Sequence, residues 1–332
     1  MPQTARADAR LAWTRGVLAD PSAILERAST DAGFRSYWRV HSGGTSWIVM
    51  DAPPALEDVA PWLAVAQLLR DGGVHVPQVH ARDTGQGFLL LGDMGRRTYL
   101  DVLDADNADV LFDDAIAALI ALQSIAPPAT LPRYDRALLE RELALFPDWF
   151  LARHLGVSMT AAQRDAWDAL RAVLVDAALA QPQVLVHRDY MPRNLMHCEP
   201  NPGVLDFQDA VVGPIAYDPV CLFRDAFLSW PVARVDAWLA RYHGLAHAAG
   251  LPVPSLERFR EDADLTGAQR HLKVLGIFAR LHHRDGKPKY LADAPRFLRY
   301  LLEAAARRPA LAPLAPLLDE LVLPRLAPAP AA

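Results

Sequence analysis

The chain has 332 residues, 52% of them apolar and 22% charged, with a formal net charge of -5. That composition excludes a disordered chain and allows a large core divided over two lobes. The mild negative charge gives no reason to expect nucleic acid or an anionic membrane surface as partner.

Cys198 and Cys221 are the only cysteines. They form no disulfide framework and suit a reducing compartment. The N-terminal stretch MPQTARADARLAWTRG lacks the apolar segment of a secretory signal. No run approaches the ~20 apolar residues needed to span a bilayer. The expectation is a cytoplasmic, monomeric protein with small-molecule partners.

In chain order, spacing predicts a short amphipathic helix over residues 7–19, then strands at Ala23–Thr30, Phe34–His41 and Thr45–Met50. A helix from Leu56 to Arg70 closes at Asp71-Gly72-Gly73, and two more strands follow at Val79–Arg82 and Gly87–Leu91. From Thr98 onward the periodicity is almost wholly helical, over Asp109–Ser124, Ala137–Leu155, Thr160–Ala180, Ala216–Leu228, Arg234–Ala249, Ser255–Arg284 and Asp293–Arg308. A further short helix is expected within Leu314–Leu321. The pattern predicts an α+β, bilobal architecture with a small, mostly antiparallel first lobe over residues 1–92. Residues 93–97 read as a hinge and 98–332 as a larger helical lobe.

Short strands interrupt the helices at Val184–Asp209. An apolar run leads into His187-Arg188-Asp189, Asn194 follows, and Asp206-Phe207-Gln208-Asp209 comes after another short apolar piece. The spacing of Asp189, Asn194 and Asp206 is one used in phosphoryl transfer. Asp189 is the candidate base, and Asn194 and Asp206 offer the hard oxygen ligands that suit Mg²⁺ beside ATP. His187 reads as a brace for the loop. A zinc hydrolase built from His187, Asp189, His197 and Asp206 would need imidazoles in one pocket, and His197 is out of phase with Asn194.

The cationic partner is harder to place. The turn over Ser29–Arg35 offers the donors Ser29, Thr30 and Arg35, either as a cover for nucleotide phosphates or as an ordinary surface turn. The third strand carries Met50 and Asp51 where a kinase places a lysine, and no lysine occurs before Lys273. Arg35 and Arg39 are the first candidates for the phosphates. Asp93 and Met94 lie in the connector as further nucleotide contacts. Late in the chain, Arg270, Lys273, Arg280 and Arg284 share one helical face, which reads either as a solvated stripe or as a surface for an anionic substrate. Arg193, Gln208 and Asp209 complete the candidate substrate contacts.

These residues carry a resemblance to the aminoglycoside phosphotransferase/choline kinase-like family. The general motif is met by His187, Asp189, Asn194 and Asp206. A closer likeness rests on Phe34–Arg39, the Met-Asp-Ala-Pro-Pro run within Val49–Pro54, Leu89–Gly95, Val204–Ala210, Gly213-Pro214 and Tyr217-Asp218-Pro219. It continues through Arg270–Lys273, Phe278–Leu281 and Arg284–Lys287, and so covers residues 29 to about 300. The resemblance implies a protein-kinase-like fold, ATP and Mg²⁺. It further implies transfer to the anomeric hydroxyl of the amino sugars N-acetylmuramate and N-acetylglucosamine, in peptidoglycan recycling. An antibiotic- or choline-type kinase is the nearest alternative, and the basic stripe argues against a cationic substrate. The absent lysine motivates a catalytically silent nucleotide-binding scaffold, against which the intact Asp189, Asn194 and Asp206 speak.

Overall fold

A computed structural model describes residues 3–29 and 34–326. It opens with α1 (Gln3–Leu18), β1 (Glu26–Ser29), β2 (Ser36–Ser42), β3 (Thr45–Asp51), α2 (Ala60–Asp71), β4 (Val79–Asp83) and β5 (Phe88–Gly92). Next come α3 (Tyr99–Val102), α4 (Ala108–Gln123), α5 (Arg136–Leu143), a π-helical stretch (Phe146–Leu155) and α6 (Ala161–Ala180). Short strands β6 (Gln183–Val186), β7 (Leu195–Met196), β8 (Gly203–Val204) and β9 (Val211–Pro214) precede α7 (Tyr217–Phe223) and α8 (Val232–Ala248). The chain ends with α9 (Leu256–Asp285), α10 (Ala294–Arg307) and α11 (Leu314–Leu321). No helix among the described residues is long and apolar enough to cross a membrane.

By packing, the chain falls into two compact units. One runs through Leu122 and adds Arg193–Asp209; the other comprises Gln123–Pro192 and the chain from Ala210. The first unit is built on a five-stranded antiparallel sheet in the order β1-β2-β3-β5-β4. Alternation along the strands brings Val40, Val49 and Leu90 together with Ala23, and Trp13 and Leu18 of α1 pack against them. The β4–β5 hairpin turns through Gly87, whose φ is +72 and whose Cβ would lie 1.9 Å from the Ala52 carbonyl oxygen. Only glycine fits there. Residues 93–97 carry no regular structure.

The first unit also takes in the ribbon of β7 and β8. The Val204 N–H donates to the His75 carbonyl (2.7 Å) and the His197 N–H to the Arg97 carbonyl (2.9 Å), which ties the ribbon to its neighbours.

The second unit is mostly helical and gathers around α9, which packs against α6, α10 and the π-helical stretch. Ser255 caps α9 by accepting from the Arg258 N–H, and Thr160 with Gln163 forms a capping box on α6. A Cβ on Gly276 would stand 2.4 Å from the Leu145 backbone, so glycine allows that close approach.

Several expected boundaries move. The helix expected over Ala137–Leu155 divides into α5 and the π-helical stretch, with Pro147 at the junction lacking the N–H that a continuous helix needs. α2 starts at Ala60 rather than Leu56, because the Leu56 and Glu57 N–H groups turn back to the Pro53 carbonyl. α7 stops at Phe223 rather than Leu228. Beyond it the Asp225 carboxylate accepts from the Phe227 and Leu228 N–H groups and holds the chain in a turn.

Candidate active site

In the second unit, β6 pairs antiparallel with β9 and delivers His187-Arg188-Asp189 at its end. Arg188 has φ +77, a left-handed conformation that a residue with a Cβ adopts only when its surroundings hold it there. The clamp is visible. Asp218 of α7 accepts from the backbone N–H of His187 (2.7 Å) and of Arg188 (3.0 Å). The Cys221 thiol lies 3.3 Å from the Arg188 carbonyl. The Asp189 N–H donates to Nδ1 of the buried His187 at 3.2 Å, so His187 braces the loop as an acceptor. Burial pushes the Asp218 carboxyl up to about 7, although the two backbone N–H groups pull the other way.

A charge network lies behind this loop. Glu142 of α5 accepts from Lys273 Nζ at 2.9 Å and from Arg188 Nη2 at 2.5 Å, and Tyr134 donates to its other oxygen. Lys273 also reaches the Tyr217 hydroxyl at 3.1 Å. Burial disfavours both charges, but Lys273 and Arg188 hold the Glu142 carboxyl below its ordinary range. Tyr217 and Glu142 likewise lift the Lys273 amine above its own against burial.

The expected basic stripe is therefore not one surface. Lys273 is committed to Glu142, and Arg270 is 2% exposed. Arg280 is half-buried, while Arg284 is exposed and paired with its neighbour Asp285 at 2.7 Å. Burial opposes the charge of Arg270, but Cys221 and Tyr217, followed by Asp189 and Asp225, hold its pKa above the ordinary range.

In the first unit, the register of the ribbon sets Leu195 opposite Val204, and the Leu205 N–H donates to the Asn194 carbonyl at 2.9 Å. Asn194 and Asp206 therefore leave the same end of the ribbon. Asn194 is buried; Asp206 sits at φ +62 with its side chain 35% exposed. Gln208 Nε2 donates to Asp206 Oδ1 at 2.8 Å. Arg35 Nη2 lies 3.7 Å from the same oxygen. One cation nominated from sequence thus stands beside a nominated metal ligand.

The other nominee is differently engaged. Arg39 is clamped by Asp93 at 2.6 and 2.9 Å and donates to the Gly95 carbonyl at 2.6 Å. Asp93 also accepts from Ser46 and the Gly95 N–H. Arg39 and Asp93 together fix residues 93–95. Met94 is half-buried, and its Sδ would lie 2.7 Å from a Cβ on Gly203. Ser29 ends β1, and its carbonyl accepts from Arg27 Nε. Thr30 lies outside the described residues. Arg193 is half-buried, and Asp209 is exposed beside Gln208. Asp51 is met by Arg6 and Arg10 of α1, each with a contact of 2.7 Å.

Sequence reasoning assigned no role to Glu142, Asp218, Arg188 or the Arg6–Arg10 pair. Asp218 left a signal. It is a single carboxylate in an apolar run, Ala210–Phe223, and a buried carboxylate needs donors. Glu142 and Arg6 lie far along the chain from their partners and left none.

Among the described residues no group of three or more His, Cys, Asp and Glu gathers as a metal cage. Asn194 and Asp206 fit a different ion. Mg²⁺ commonly takes one or two protein oxygens and completes its shell with waters and nucleotide phosphates. The Asp206 carboxylate, partly exposed beside Asn194, is a donor set of that kind.

The profile of the phosphotransferase enzyme family matches residues 24–248. A protein of Pseudomonas putida, N-acetylmuramate/N-acetylglucosamine kinase, is 57% identical over 302 residues, covering 91% of this chain and 89% of that protein. Its namesake from Neisseria meningitidis is 46% identical, with 93% and 94% covered. In structure the chain is similar to the choline kinase LicA from Streptococcus pneumoniae, with a TM-score of 0.64 over 90% of this chain and 99% of that one. At 13% identity that likeness establishes the kinase-like fold alone. The chain belongs to the phosphotransferase enzyme family.

Proposed function

We propose that this protein transfers the γ-phosphoryl group of ATP to the anomeric hydroxyl of N-acetylmuramate and N-acetylglucosamine, acting as a monomer in the cytoplasm and in peptidoglycan recycling. The observation that carries the reading is the 57% identity with the Pseudomonas kinase across 91% of this chain. The conservative chemistry of the Asp189 loop and the Asn194–Asp206 ribbon supports it.

Asp189 orients the sugar O1 and accepts its proton as O1 bonds to the γ-phosphorus. The bond from that phosphorus to the bridging oxygen breaks, and ADP leaves with the electron pair. An anomeric hydroxyl is more acidic than an ordinary alcohol, so positioning and charge neutralisation carry most of the rate enhancement. Asn194 and Asp206 would hold Mg²⁺, which supplies neutralisation of the phosphate charge when bound. Arg35, beside Asp206, is the candidate cation for the phosphates in place of a third-strand lysine. The brace of Asp218 and Glu142 fixes the loop so that Asp189 need not reorganise during the reaction.

A panel of N-acetylmuramate, N-acetylglucosamine, choline and kanamycin with Mg-ATP, scored for ADP release, tests the reading. Turnover with the two amino sugars, with the product's C1 phosphate read by NMR, is expected. Turnover with choline or kanamycin instead overturns it. ATP binding without turnover on any acceptor identifies a silent scaffold.

A further inference from the structure

The irregular segment after α7 is tied to α10 through one hydroxyl. Ser229 Oγ lies 2.5 Å from Arg296 Nη1, 2.8 Å from Arg299 Nη2 and 2.9 Å from the Tyr300 hydroxyl. Arg296, Arg299 and Tyr300 stand at i, i+3 and i+4 on α10, so they share one face of that helix. Tyr300 is 7% exposed, and its hydroxyl donates to the Leu228 carbonyl at 3.2 Å. Ser229 therefore donates to Tyr300 and accepts from both guanidinium groups.

Two positive charges thus share one neutral oxygen. The carboxylates that reach them stand further off. Asp293 Oδ1 is 3.3 Å from Arg296 Nη2, and Glu303 Oε1 is 3.9 Å from Arg299 Nε. Arg296 Nε is enclosed and has no hydrogen-bond partner among the described residues. Arg296 also lies in the first turn of α10, where the helix dipole adds positive potential. A second oxygen carrying negative charge is what this arrangement lacks, and paired guanidinium groups suit an anion with two acceptor oxygens. The Arg299 side chain is 55% exposed, so the face opens to solvent and a ligand can reach it.

We propose that Arg296 and Arg299, with Ser229 between them, form a binding site for a small oxyanion, a carboxylate or a phosphate. One source follows from the sugar-kinase reading and rests on it. N-acetylmuramate, in the names of the related kinases, carries a carboxylate that N-acetylglucosamine lacks. The other source is free phosphate, which does not depend on that reading.

The test uses Arg299→Gln and Arg296→Gln in the full chain. Arg299→Gln is the more informative, because so exposed a side chain can be replaced without opening the core. Two quantities are compared with the wild type. One is the ratio of kcat/KM for N-acetylmuramate to that for N-acetylglucosamine. The other is the melting temperature in about 20 mM inorganic phosphate against chloride of equal ionic strength. If the acceptor supplies the oxyanion, the ratio falls about tenfold or more, through a raised KM for N-acetylmuramate. If free phosphate supplies it, the ratio holds. Phosphate then raises the wild-type melting temperature by about 2 °C and leaves that of Arg299→Gln unmoved. A folded Arg299→Gln with an unchanged ratio and a response to phosphate equal to the wild type's overturns the site. The arginines would then only fasten the segment to α10. Failure of the wild type on both sugars overturns the sugar-kinase reading alone, and the phosphate melts then decide the site.

Discussion

Arg39 and Arg270 are both buried arginines, one in each compact unit, and their surroundings differ in kind. Arg39 is met by both oxygens of Asp93 and by the Gly95 carbonyl. Arg270 keeps an enclosed nitrogen without a partner. A guanidinium gripped by a carboxylate and a carbonyl holds structure together. One left incomplete is costly to the fold. The same contrast separates Lys273, committed to Glu142 and Tyr217, from Arg35, which stands 3.7 Å from Asp206.

The largest effect is expected away from either arginine. Asp189→Asn should lower kcat by about 10³-fold, within the usual range for a general base, while ATP binding persists in calorimetry. Near-normal turnover would show that the base is misassigned.

Arg39→Ala tests the structural side of the comparison. Removing one partner of this buried pair leaves Asp93 uncompensated and should cost about 3–5 kcal/mol in urea unfolding. Arg270→Met should cost less, because no hydrogen-bonded carboxylate grips Arg270 as Asp93 grips Arg39, although the variant removes a positive charge that buried Asp218 and Asp225 face. A loss of stability equal to that of Arg39→Ala would abolish the distinction.

Two buried carboxylates sharpen the contrast through pH. Burial alone would raise the Asp93 carboxyl, but hydrogen bonds from Arg39, Ser46 and the Gly95 N–H together hold it below its ordinary range. Its folded value is depressed, so its contribution is present above the unfolded value of about 3.9 and is lost as pH falls through the folded one. Asp218 runs the other way, with a folded value of about 7. It favours the folded state most at low pH, and that advantage declines as pH rises from about 4 toward its folded value. Acid unfolding of Asp93→Asn should be less steep than that of the wild type. The wild-type advantage over Asp218→Asn should narrow over the upper window. Both are read from melting temperature against pH. The smallest effect is expected for Arg284→Ala: this exposed side chain pairs with its neighbour Asp285 on the surface, so melting temperature and turnover should not move measurably.

Much of the fold was legible because periodicity records which faces are buried. The five strands of the first sheet and the long helices α6, α8, α9 and α10 follow it closely. Boundaries failed where a local bond competes with the helix, as at Pro147, the Pro53 carbonyl and the Asp225 turn. The stripe on α9 failed for another reason. Helical spacing gives the face on which Arg270, Lys273, Arg280 and Arg284 lie, but not what covers it. Glu142, which pairs with Lys273, is distant in the chain.

From sequence, close chain spacing and residue chemistry suffice to nominate Asp189, Asn194 and Asp206 for phosphoryl transfer, and periodicity suffices to read the alternation of strands and helices. Only tertiary structure decided the role of the cations. Arg39 became a structural clamp, Lys273 a brace and Arg270 an enclosed donor, because a charge takes its role from the groups that folding brings against it. The groups that Arg39 and Lys273 meet, Asp93 and Glu142, come from other elements, and no local pattern links them.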